Sequence, residues 1–216
     1  KLLPLQMARA DYEAAAANVM AAVAAAKEQL ARESAAPRIA IASADLLQIQ
    51  IDAFEPLQLS GNEFAADEML AAVKDRAPQS PDVIAFQAMR DLAALRPELL
   101  ELAAAGKAPR LAADDARAAA VDATLQAALK NHQNHHGLWL AQALWNQARE
   151  FKTTAALRCF KKATELRKDA VIAWLSAARM LREKSMYESA LEYAQNGLKC
   201  RHDPRLLQEI ALSLVG

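Results

Sequence analysis

The sequence predicts an all-α protein assembled from helical hairpins, and three observations carry that expectation. Alanine, the strongest helix former, makes up about a quarter of the 216 residues, against only 5 glycines and 8 prolines. So few glycines leave little room for two-residue β-hairpins or a Gly-rich phosphate loop. Apolar residues recur at helical spacing along most of the chain. Finally, residues 137–169 and 170–204 repeat one plan at a shift of about 34 to 36 residues, the period of a helix–turn–helix repeat.

From residue 2 to about residue 34 runs one long helical pattern bearing Leu5, Tyr12, Val19, Met20, Val23 and Leu30. Alanine fills the rest of that face and permits close helix approach. A coiled-coil strand competes here, although its heptad is not sustained. Pro37 marks a break, and a helix over residues 39–59 follows, with Pro56 expected to kink or end it. Its run 46–51 alternates like a strand, but helical period resumes at Phe54 and Leu57. Ser60, Gly61 and Asn62 form a turn, and Asn62 caps a helix to about residue 76 that buries Phe64, Met69, Leu70 and Val73. Ser80 and Pro81 open a helix whose inner stripe is Val83, Ile84, Phe86, Met89, Leu92 and Leu95. Pro97 begins a short helix stopped by Gly106, and a longer one spans residues 111–131. A last helix, 203–215, caps the C-terminal end.

The repeated stretches are the most informative. In 170–204 the apolar positions are Ile172, Trp174, Leu175, Ala178 and Leu181, then Tyr187, Ala190, Leu191, Ala194 and Leu198. In 137–169 they are Trp139, Leu140, Ala143 and Leu144, then Phe151, Ala155, Ala156, Phe160, Ala163 and Leu166. Trp139 matches Trp174, Phe151 matches Tyr187 and Ala156 matches Ala190. Neither helix of a pair can bury its stripe alone, so each hairpin wants neighbours of its own kind. The pattern Trp174, Ala178, Leu181, Tyr187, Ala190, Gly197, Pro204 resembles the tetratricopeptide repeat signature. Tyr12 to Ala15 echoes Tyr187 to Ala190 at a separation of about five periods. The resemblance implies a right-handed α-α superhelix, a solenoid of hairpins that is degenerate in its N-terminal and middle parts. It divides the chain into a degenerate region over 1–136 and two repeats with a capping helix over 137–216, in one continuous array. It further implies no catalytic chemistry and a concave groove that holds a peptide or protein segment.

The residues themselves offer little reactive chemistry. The formal charge is zero, but residues 1–137 hold 13 Lys and Arg against 18 Asp and Glu, and residues 138–216 hold 13 against 8. A basic C-terminal half can attract an acidic segment. His132, His135 and His136 lie close enough to grip a transition metal, yet Asn, His and Gly are also ordinary turn residues. Cys159 and Cys200 make no disulfide framework and read as small buried thiols. There is no HExxH, Walker lysine or Gly-x-Ser-x-Gly elbow, and the carboxylate pairs Asp67-Glu68 and Asp114-Asp115 suit helix starts better than acid–base work. Neither a metal nor a cofactor is expected. The pairs Lys161-Lys162 and Arg167-Lys168 are diluted by acids, so nucleic acid is not expected, and no apolar run suggests membrane insertion. The opening at Lys1, already inside a helical pattern, reads as a piece of a longer polypeptide, and its alanine-rich style as a GC-rich bacterial genome.

The site expectation rests on the first helix of each repeat lining the groove. On 170–184 the face away from the core stripe carries Arg179 and Arg182 with Glu183 beside them, and on 137–149 the matching region offers Trp145 and Arg149. An aromatic anchor beside arginines suits an extended peptide with an acidic side chain or a C-terminal carboxylate. The leading reading is therefore a non-enzymatic adaptor for a protein or peptide partner, acidic by charge. A second reading makes it the substrate-presenting or regulatory part of a protein whose catalytic domain lies outside these residues. A third makes the alanine-rich faces a surface for homo-oligomers.

Overall fold

The computed structural model describes residues 11–33, 36–106 and 109–215, with the backbone alone for 36–42. Among these residues the chain is all-α: α1 (Tyr12–Arg32), α2 (Ala36–Asp52), α3 (Phe54–Ser60), α4 (Glu63–Lys74), α5 (Pro81–Ala94) and α6 (Arg96–Ala104) come first. Then follow α7 (Ala116–Asn131), α8 (His136–Gln147), α9 (Thr153–Leu166), α10 (Val171–Glu183), α11 (Tyr187–Cys200) and α12 (Pro204–Val215). Contacts divide the chain into two compact units, Lys1–Val83 and Ile84–Gly216. The expected boundary at 136/137 falls inside the second unit, where Leu125 and Leu129 of α7 share a core with Leu138, Ala141 and Trp145 of α8.

In the first unit α1 packs on α2 and α3, and both of these meet α4. Its buried face is Tyr12, Ala15, Ala16, Val19 and Val23, a helical stripe in which alanine allows close approach. The part of the long first pattern before Asp11 lies outside the described residues. Pro56 does not end its helix. The interruption comes at Ala53, and α3 runs through Pro56, which has no N–H for a bond back to Asp52. Asn62 caps α4 by accepting from Ala65 N at 3.1 Å, but Phe64, expected inside, is exposed.

In the second unit the expected helix over 111–131 starts five residues late, at Ala116. Asp115 caps it, accepting from the backbone N–H of Arg117 and Ala118. Residues 110–112 instead run extended beside the end of α8, where Leu111 bridges to Arg149, and residues 112–115 then turn into α7. Two hairpins, α8–α9 and α10–α11, follow, and α12 packs on both α10 and α11. First helices begin 35 residues apart at His136 and Val171, second helices 34 apart at Thr153 and Tyr187. This changing shift corrects one expected match. Phe151 is not the counterpart of Tyr187, for it is 91% exposed with φ +57° and stands opposite Ser185, φ +59°.

Candidate functional site

The hairpins are held by contacts that repeat with the period. Trp139 Nε1 donates to the carbonyl of Gln133 and Trp174 Nε1 to that of Lys168, each six residues back. The second helices turn small or planar residues inward at i, i+4 and i+7: Ala156, Phe160 and Ala163 on α9, Ala190, Ala194 and Gly197 on α11. The close approach is tightest at Gly197, where a Cβ would lie 2.7 Å from Trp174 Cβ and 2.8 Å from its Cγ. Beyond its hairpin partner, α10 also packs on α8 and on α12.

Of the four residues singled out in the sequence, two meet at one carboxylate. Arg179 Nε lies 3.4 Å from Glu209 Oε2, and Arg182 Nε donates to Glu209 Oε1. Glu209 comes from α12 and its side chain is only 2% exposed, whereas those of Arg179 and Arg182 are 46% and 29% exposed. The bond to Glu209 holds the Arg182 guanidinium above its already high ordinary pKa. Glu183 lies beside them and is reached by Arg110, whose Nη2 is 3.9 Å away.

Trp145 and Arg149 sit elsewhere. Trp145 is 2% exposed, packed with Leu111, Leu125 and Ala88, and its Nε1 donates to the Ala88 carbonyl at 2.7 Å. Arg149 is buried; its Nη2 donates to the Ala113 carbonyl at 2.7 Å and its Nη1 is 3.7 Å from Asp122. Its Nε has no hydrogen-bond partner. Arg149 thus grips the chain's own segment before α7, and Trp145 shares a core with Leu111 of that segment while bonding to α5. At the 35-residue shift the counterparts of Arg179 and Arg182 are Leu144 and Gln147, one residue before Trp145 and two before Arg149. One residue turns a side chain by about 100° around a helix, which is the distance between outer face and core. Aligning Trp139 with Trp174 and counting onward reaches Leu144; the residue types alone did not.

No family model matches the sequence, and no curated protein does. Among solved structures the chain is similar to the crystal structure of yeast Tom70, at 11% identity with a TM-score of 0.48. The likeness covers 99% of this chain and 38% of that one.

Two of the four histidines are engaged in structural bonds. His135 Nδ1 accepts from Leu138 N and caps α8, while His136 Nε2 accepts from Arg167, since a guanidinium can only donate. Among the described residues no group of three His, Cys, Asp or Glu is placed to hold a metal ion. Cys159 is buried, as expected, and burial pushes its thiol pKa up; Cys200, expected inside, is exposed. No described helix is long and apolar enough to cross a membrane.

Proposed function

We infer that the chain is a non-catalytic protein-interaction module, holding a peptide or protein segment against the outer faces of its first helices through a carboxylate. One observation carries this reading: Arg179 and Arg182 already converge on a carboxylate, that of Glu209, while the side chain of Arg179 remains nearly half open. Glu209 stands for the acidic side chain or C-terminal carboxylate of a partner, because guanidinium groups recognise all of these by the same charge-assisted hydrogen bonds. Leu144 and Gln147, both half-buried, hold the matching positions on α8.

Panning the purified chain against a library of acidic peptides with free C-termini tests the reading, with hits titrated by calorimetry. Arg179→Gln should weaken a hit by about fivefold or more and flatten its salt dependence, while Arg182 still holds Glu209. Charge reversal at both arginines is the wrong variant, since it strands the buried Glu209. Hits indifferent to Arg179→Gln, or no hits at all, would remove this face as a binding site.

A further inference from the structure

The arginine face carries a carboxylate of its own, and the packing of the repeat does not require one. The starts of α8, α10 and α12 lie 35 and then 33 residues apart, so Glu209 takes the place of Ala141 on α8 and Ser176 on α10. Small neutral residues fill that place in the earlier helices. Arg179 and Arg182 likewise take the places of Leu144 and Gln147. Two arginines on α10 and a glutamate on α12 therefore enter together, at positions where the preceding helices hold no charge. A buried ion pair is a weak source of stability, because desolvation offsets much of its attraction. What Glu209 changes is the state of the arginines.

Its two oxygens are shared unequally. Oε1 accepts from Arg182 Nε, whereas Oε2 lies 3.4 Å from Arg179 Nε, near the far limit of a hydrogen bond. Among the described residues neither Nη atom of Arg179 has a hydrogen-bond partner, and its side chain is 46% exposed. Arg110 is a third guanidinium on this side of α10, and its Nη2 is 3.9 Å from Glu183. Three arginines thus face two carboxylates. Arg182 is matched by Glu209 and Arg110 by Glu183. Within this cluster Arg179 is the cation left over, loosely tied and half open.

We propose that Glu209 is an internal competitor for Arg179, one that screens the arginine face until the carboxylate of a partner draws Arg179 away, while Arg182 keeps Glu209 in place. This inference rests on the carboxylate reading of the face and adds a control to it. Affinity is held below what an unscreened pair of arginines would give.

The test follows the Nε–H signals of Arg179 and Arg182 by proton–nitrogen NMR in the 216-residue chain. The probe is an acetylated alanine tetrapeptide with a free C-terminus, and its C-terminal amide is the control. The free peptide should move the Arg179 signal saturably and leave the Arg182 signal nearly in place, and the amide should move neither. Glu209→Gln keeps an oxygen for Arg182 and removes the competing charge, so the probe should bind about threefold tighter or more. Circular dichroism checks that this variant keeps its helices, and if it does not, the spectra of the unsubstituted protein still decide. Three results overturn the proposal and leave the carboxylate reading standing. They are binding that leaves the Arg179 signal unmoved, binding that moves the Arg182 signal as far, and binding that Glu209→Gln fails to tighten. A probe that binds neither protein removes the carboxylate reading, and this inference with it.

Discussion

The hairpins α8–α9 and α10–α11 share one plan and differ in what props them. Both carry the tryptophan that donates six residues back, and both place a non-glycine residue in left-handed conformation at their turn. The first is braced at its turn by the extended segment: Leu111 N donates to the Ala148 carbonyl and Glu150 N to that of Leu111. Among the described residues the second has no such backbone brace, and α12 leans on it instead through Glu209. Repeated contacts therefore specify the hairpin itself. The faces outside those contacts are free to differ, and Leu144 against Arg179 is one such difference.

The sharpest way to break the likeness is at Gly197, whose counterpart 34 residues earlier is Ala163. Gly197→Ala should destabilise by about 2 kcal/mol net. The new methyl would strike the rigid base of Trp174, and this outweighs the usual gain of up to about 1 kcal/mol for alanine in a helix. Ala163→Gly removes one buried methyl and should cost about 1 kcal/mol. Urea unfolding followed by circular dichroism measures both. A stabilised Gly197→Ala protein would show that α10 and α11 are not as close as described.

A smaller effect, of opposite sign, tests the turns. Phe151 and Ser185 both occupy the left-handed region, which strains residues bearing a Cβ by about 1–2 kcal/mol. Phe151→Gly and Ser185→Gly should each raise stability by about 1 kcal/mol or less after the added freedom of the unfolded chain is subtracted. Since Phe151 is almost fully exposed, its ring has little packing to lose, and its gain should at least equal that of Ser185. A clear fall in Tm for Phe151→Gly alone would mean that the ring has a partner.

Much of this was legible in the residues because helix periodicity and small-residue spacing act locally. The Trp139 and Trp174 match, the Asn62 cap and the inward Ala190 and Ala194 all follow from short-range pattern. What was not legible depends on register and on distant neighbours. Phe151 satisfied an apolar pattern, but the five-residue turn between α8 and α9 moved it out of the core. Trp145 had the type of a groove anchor and the position of a core residue. Residues 109–115 lack a helix because Asp115 caps α7 and Leu111 finds hydrogen bonds on a segment nearly forty residues later. Glu209 gave no signal of its own, since a lone glutamate on a capping helix is ordinarily solvated.

The smallest expected effect concerns the brace of the first hairpin, which the second lacks. Asp115 accepts from Arg117 and from two backbone N–H groups at the start of α7, and Arg117 also forks onto Glu98 at 2.7 and 2.9 Å. The hydrogen bond from Arg117 chiefly lowers the Asp115 pKa to about 2, and the same guanidinium lowers that of Glu98. A carboxyl depressed on folding stabilises the native state fully above its unfolded pKa of about 3.9, and the gain is lost as pH falls through its folded value. Amide exchange at Leu111 and Glu150 should therefore quicken as pH drops from about 4 towards 2, relative to the intrinsic rate and to the Trp174 amide in the second hairpin. Asp115→Asn keeps a capping oxygen but no titration, so it should remove most of that pH dependence at a cost below about 1 kcal/mol at neutral pH. If both hairpins loosen together, at the same pH and with or without Asp115→Asn, the extended segment is not what distinguishes them.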